Sequence, residues 1–201
     1  MSRIAVDVVL LPSDEVAEMA IEANKQLLEQ CPDKIVLDRE NCLPHISLAM
    51  GCIDQCLIAD AERILWAIAE ERSSERLINL GLRVTANRVG EKVCVLELKR
   101  TETLQSLHEE VMDRFRSHLG RDVTAEMVLS PPAATESTLA WIRDYCDKSS
   151  FERFFPHITL GYGQLDDFPF PGRFAAPRLA ICHLGNHCTC RRILASAEFP
   201  R

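Results

Sequence analysis

Nowhere in the 201 residues is there an apolar run long enough to span a bilayer. That excludes a membrane-spanning helix, and no membrane partner is expected. Low-complexity stretches and long linkers are missing too, so the chain reads as a single two-lobed domain over residues 1–201. The opening MSRIAVDVVLLP has one Arg and a short apolar stretch but no small-residue cleavage site. It is read as a first strand and not as a signal peptide. There is also no excess of positive charge: 23 Lys and Arg stand against 30 Asp and Glu, for a net charge of −7. Long duplex nucleic acid, whose phosphates need many Lys and Arg, is excluded as a partner. A small phosphorylated ligand in a locally basic cleft is not.

What is present describes an ordinary folded protein. Apolar residues make up 47% and charged residues 26% of a chain long enough for one sizeable core. The cysteines number nine, an odd count, and with no secretion signal they are expected as reduced thiols in a cytoplasmic protein. A monomer is the expected state.

Periodicity outlines the elements. Residues 3–11 are β-branched and apolar, a buried strand. Ser13 offers an N-cap to a helix with Val16, Ala20, Ala23 and Leu27 on one face, closed by Pro32. Asp54 can cap a second helix carrying Ile58, Ala61, Leu65 and Ile68. Residues 77–86 alternate, with Ile78, Leu80, Leu82 and Val84 on one face and Asn79, Arg83 and Thr85 on the other. Residues 92–99 are their hairpin partner. Thr101 starts a helix with Leu104, Leu107, Val111 and Phe115 buried and Gly120 as its stop. Residues 123–129 are ambiguous and 130–132 are a loop. Thr135 opens a helix with Leu139, Ile142 and Cys146. Residues 164–177, rich in Pro, Gly and Phe, read as a loop. Two last strands, near 178–184 and 188–198, flank Gly185-Asn186 as a tight turn. This mixture favours α+β with antiparallel sheets.

The most specific feature is a near-repeat: PHISLAMG at 44–51 and PHITLGYG at 156–163. Residues two apart on a strand share a face. His45 therefore lies beside Ser47, and His157 beside Thr159, with Ile46, Leu48, Ile158 and Leu160 turned to a core. Imidazole titrates near neutrality, so one copy can take a proton while the other gives one. The hydroxyls can donate to phosphoryl oxygens. This set suits in-line displacement at phosphorus with no metal or other cofactor. A single His-x-Ser on a strand is more often incidental; a duplicated one points to a site.

The paired motifs resemble those of the two-histidine phosphoesterase superfamily, the group of 2′-5′ RNA ligase-like proteins and 2′,3′-cyclic phosphodiesterases. The resemblance implies a bilobal α+β fold in which two antiparallel sheets flank a pseudo-two-fold cleft. It implies a phosphoesterase with His45, Ser47, His157 and Thr159 as the catalytic set, His45 as proton donor and His157 as acceptor. Substrates are expected to be small phosphorylated nucleotides or RNA ends, in cyclic phosphate hydrolysis or in the reverse, 2′-5′ ligation. Ser47 stands where many members carry Thr, which keeps the hydroxyl.

Other signals carry less. Arg191, Arg192 and Arg83 are candidates for gripping phosphate, against a plain surface role. Tyr162 and Phe155 flank the second motif and are candidates for stacking on a base. Trp66 is expected in the core or between lobes, and His108 and His118 facing solvent. CHLGNHCTC at 182–190 looks like a metal site, but a hairpin turn inside it would scatter its side chains, so no metal is assigned. A non-catalytic nucleotide- or RNA-binding module using the same cleft is the alternative reading.

Overall fold

The β-branched run after the N-terminus forms β1 (Arg3–Leu11), whose residues after Arg3 are all buried. The computed structural model describes residues 2–32, 34–87 and 89–200. Ile4, Val6, Val8 and Leu10 enter the largest cluster of buried side chains, while Ala5, Val9 and Leu11 enter two smaller ones on the other face. A strand covered on both sides is why the run is apolar without alternation.

Helix α1 (Asp14–Leu28) buries Val16, Ala20, Ala23 and Leu27 as its spacing requires. Ser13 occupies the N-cap, yet its side chain makes no capping bond. The first motif follows on β2 (Ile46–Asp54). A single 3₁₀ turn then leads into α2 (Ile58–Glu70), which buries Ala61, Leu65 and Ile68. Trp66 lies off this stripe and is 47% exposed, so it is neither core nor lobe interface. Strands β3 (Glu75–Ala86) and β4 (Lys92–Leu98) form the expected hairpin. Leu80 falls at an irregularity in their register and is exposed.

Helix α3 (Glu102–Phe115) is capped by Thr101, whose Oγ1 accepts the Leu104 N–H at 3.2 Å. It stops at Phe115 and not at Gly120; Gly120 instead exchanges two backbone bonds with Cys52. Residues 123–129 make a 3₁₀ turn and one bridge, Leu129 to Gly185, but no strand. Thr135 caps α4 (Glu136–Lys148), and the second motif opens β5 (His157–Tyr162). The stretch read as loop holds a short strand, β6 (Arg173–Ala176), paired with β3. Strands β7 (Arg178–Leu184) and β8 (Cys190–Glu198) are joined by a turn through Asn186–Cys188. His187 and Cys188 take positive φ there, so the connection is longer than the two-residue turn expected.

Two four-stranded antiparallel sheets result, ordered β2-β1-β7-β8 and β5-β4-β3-β6. The expected α+β, two-sheet architecture is the one found. Both motif strands are edge strands in equivalent places. Helix α1 packs on β5 of the other sheet, α3 and α4 pack on β2, and the largest core cluster draws from both sheets. The reduced-thiol expectation is revised for one pair: Cys182 and Cys190, with Cα atoms 5.5 Å apart on neighbouring strands, are joined by a disulfide. No helix among the described residues is long and apolar enough to cross a membrane.

Candidate active site

Each motif strand enters its sheet through a proline, and each carries the same bulge. In β1–β2 the register runs from Val9 opposite Ser47 to Val8 opposite Ala49, leaving Leu48 as an extra residue. In β4–β5 it runs from Val95 opposite Thr159 to Cys94 opposite Gly161, leaving Leu160 extra. A bulge twists the strand and re-aims its side chains. Here Leu48 and Leu160 are buried completely, while His45, Ser47, His157 and Thr159 line one cleft of about 370 Å³.

The two imidazoles are held alike. His45 Nδ1 lies 2.8 Å from the Leu43 carbonyl, and His157 Nδ1 lies 2.8 Å from the Phe155 carbonyl. A carbonyl oxygen only accepts, so Nδ1 carries the proton in both rings and the neutral ring keeps its lone pair on Nε2. Burial pushes His45 down to about 4; the Leu43 carbonyl opposes this, and charge on His157 adds to it. His157 is lowered by burial too, against the Phe155 carbonyl and the Glu97 carboxylate. At neutral pH both rings are therefore bases.

Their surroundings differ. Ser47 Oγ lies 2.6 Å from Asp7 Oδ2 on β1, and Asp7 Oδ2 is 3.8 Å from His45 Nε2. Tyr145 of α4 donates its hydroxyl to the Ser47 carbonyl at 3.3 Å. On the other side Phe155 stacks on His157, with ring centroids 4.9 Å apart. Tyr162 lines the cleft, and its hydroxyl meets His187 Nδ1 at 3.1 Å, a contact between the two sheets' elements. Asn186 Nδ2 contacts His187 Nε2 at 3.3 Å while its Oδ1 accepts the Thr135 N–H. Lys34 stands over the Tyr162 ring.

The three candidate arginines lie outside the cleft lining. Arg83 is exposed, ion-paired with Glu97 at 3.0 Å, and its guanidinium lies 5.2 Å from the Phe155 ring at the rim. Arg191 and Arg192 sit where β7 and β8 slip register: Arg192 is exposed opposite His183, and Arg191 folds under Gly185. None of the three lines the cleft, whereas Lys148, Arg153 and the 40%-exposed Trp141 do. His108, expected in solvent, is fully buried. The 182–190 segment scatters its side chains: two cysteines pair, His183 meets the Met127 carbonyl, and His187 meets Tyr162. Among the described residues no group of three or more His, Cys, Asp or Glu could hold a metal ion.

Asp7, Tyr145 and Trp141 escaped the sequence reading, and His187 entered it only within the 182–190 segment. Of the first three, only Asp7 had a visible signal, a lone carboxylate inside IAVDVVLL.

The fold has counterparts of known structure. TT0787 of Thermus thermophilus superposes with a TM-score of 0.59 at 17% identity, over 98% of both chains. Apo LigT of E. coli gives 0.56 at 14%, and a structure named a phosphoesterase gives 0.54 at 12%, each over 100% of both chains. The chain has a LigT-like fold. No family model and no curated protein sequence matches it. In this LigT-like fold the two His-x-Ser/Thr strands face each other across the cleft between the sheets.

Proposed function

We propose that the protein is a metal-independent phosphoesterase acting on a 2′,3′-cyclic phosphate or a 2′-5′ phosphodiester in small nucleotides or RNA ends. The observation that carries this reading is the paired anchoring of His45 and His157 by their Nδ1 atoms, which gives two Nε2 atoms to one cleft.

In hydrolysis, His157 Nε2 takes a proton from water as its oxygen bonds to phosphorus. The bond to the 2′ or 3′ oxygen breaks as protonated His45 gives that oxygen its proton. The chain's likeness to the superfamily supports this assignment of acid and base, and ligation reverses it. A phosphoryl anion between the rings favours the charged form of one of them, restoring the proton that burial removes. Ser47 and Thr159 hold the non-bridging oxygens. The LigT structures described as complexes with NADP+, ATP, phosphate and 3′-AMP support a small phosphorylated ligand. Phe155, Tyr162 and Trp141 offer flat faces for a base.

The test is turnover of 2′,3′-cyclic nucleotide monophosphates in excess chelator, wild type beside His157→Ala, with 2′- and 3′-phosphate products resolved. Chelator-resistant turnover that the mutant loses supports the reading. Silence on these and on 2′-5′ linked oligonucleotides, with binding retained, would replace it by a nucleotide-binding role.

A further inference from the structure

The matching bulges make the two halves comparable residue by residue. Stepping from the hydroxyl along each neighbouring strand, Val9 corresponds to Val95, Val8 to Cys94 and Asp7 to Val93. Asp7 faces Met50 where Val93 faces Tyr162. The carboxyl beside Ser47 thus has a valine, Val93, at the matching place in the Thr159 half.

Asp7 is fully buried. One oxygen, Oδ2, touches Ser47 Oγ at 2.6 Å, and the Ala49 N–H, next to the bulge, also donates to the carboxyl. The other, Oδ1, is buried with no hydrogen-bond partner among the described residues. The titratable groups facing it are His45 at the entry to β2, Tyr145 from α4 and Cys188 from the β7–β8 turn. Cys182, opposite it on β7, is held in the disulfide. None of these is a Lys or Arg. A buried carboxylate with a bare oxygen and no fixed cation is a costly state, and burial accordingly holds this acid well above the usual carboxylate range. A proton on Oδ2 lies in the Ser47 contact and leaves the bare Oδ1 as a neutral carbonyl-type oxygen, which costs less unpaired than a carboxylate oxygen would.

We propose that Asp7 is a positioning residue that works as a neutral acid, donating to Ser47 Oγ so that Ser47 turns its own proton toward a phosphoryl oxygen beside His45. The inference rests on the phosphoesterase reading of the cleft. Ionised Asp7 reverses the polarity: Ser47 then donates into the carboxylate, shows the phosphoryl group its lone pairs, and the carboxylate charge repels the anion. Thr159, with Val93 in the matching place, has no such dependence. The His45 half of the cleft therefore accepts an anionic phosphoryl group only while Asp7 keeps its proton.

The experiment compares wild type, Asp7→Asn and Asp7→Val in binding and turnover of 2′,3′-cyclic AMP from pH 5 to 9. The diester has no ionisation of its own phosphate in that range. Infrared difference spectra between wild type and Asp7→Asn are read for a protonated-carboxyl band. Asp7→Val is expected to lower kcat/KM about tenfold, the scale of one charge-assisted hydrogen bond. Asp7→Asn, whose amide always donates, is expected to recover most of that loss and to flatten the alkaline fall. The band is expected at neutral pH in wild type alone. An Asn variant no better than Val, an unmoved pH profile, or no such band would overturn the proposal while leaving the phosphoesterase reading standing. Should wild type neither bind nor turn over the diester or a 2′-5′ linkage, the phosphoesterase reading falls first and this proposal with it. If Asp7→Val does not fold, the Asn pH profile and the band decide.

Discussion

His108 Nδ1 donates to the carbonyl of Leu48 at 2.9 Å, and Leu48 is the residue that bulges from β2 directly after Ser47. The same ring accepts the Phe151 N–H on Nε2 at 2.8 Å and stacks on Phe154 at 4.0 Å between centroids. The next residue, Phe155, supplies the carbonyl that holds His157. One buried imidazole on α3 thus fixes the bulge of the first motif and the approach to the second.

Removing that ring is expected to cost stability and catalysis together. His108→Ala leaves a cavity and two unpaired backbone groups, for a loss of about 2–4 kcal/mol in denaturant unfolding. At a temperature where the variant is folded, kcat should fall more than KM rises, because geometry between the two histidines is disturbed. His108→Gln, which can keep one of the bonds, should fall between. Wild-type stability in the alanine variant would show that the ring bears no such load.

The same environment makes the fold acid-sensitive. Burial pushes His108 down to about 4, with the Leu48 carbonyl opposing, and pushes His45 down to about 4 as well. Unfolded histidine titrates near 6.5, so between those values the unfolded chain binds more protons than the native one. Stability from these rings is full above about pH 6.5 and is lost as pH falls toward about 4, by about 3 kcal/mol for each ring. Unfolding midpoints measured from pH 7 to 4 should drop accordingly. His108→Gln should show a shallower slope, and an unchanged slope would remove His108 from the acid response.

Asp7 acts in the opposite direction. Its acid is raised in the fold, first by burial, so the native chain holds a proton that the unfolded chain has released above about pH 4. Stability from this group falls as pH rises, by about 1.4 kcal/mol per unit until the native acid ionises. Asp7→Asn should therefore be more stable than wild type at pH 8 and closer to it at pH 4. A gap that stays constant with pH would mean that Asp7 is ionised in the folded protein.

Legibility followed the range of the interactions. The first helix, the β3–β4 hairpin and the duplicated His-x-Ser/Thr strands rest on local periodicity, and each stands where its pattern put it. His108 is instructive: it shares a stripe with Leu104, Val111 and Phe115, so spacing placed it inside while polarity suggested solvent. Its partners, Leu48 and Phe151, are 60 and 43 residues away and leave no local trace. Strand β6 is four residues long between Gly172 and Pro177, and only β3 makes it a strand. Arg191 and Arg192 stayed open between cleft and surface because alternation gives a face only where the register is even, and β7–β8 slips twice. Asp7 was visible as an oddity, but its meaning lies in the register that brings Ser47 beside it.

The two motif histidines should be separable from the fold. Both rings line the cleft, and each bonds through Nδ1 to a carbonyl two residues before it in the chain, so neither bond joins distant parts of the sequence. His45→Ala and His157→Ala are each expected to lower kcat by about 100-fold to 10,000-fold, the scale of one general acid or base. Unfolding midpoints at pH 7 should move little, since both rings are neutral there and leave space open to the cleft. Ser47→Ala and Thr159→Ala should lower the rate less, because each removes a hydrogen bond to the phosphoryl group and not a proton transfer. The double variant His45→Ala/His157→Ala decides whether the rings act as a unit: acid and base of one step lose little more together than singly. Losses that multiply would mean independent roles, and near-wild-type turnover in either single variant would reject the two-histidine mechanism.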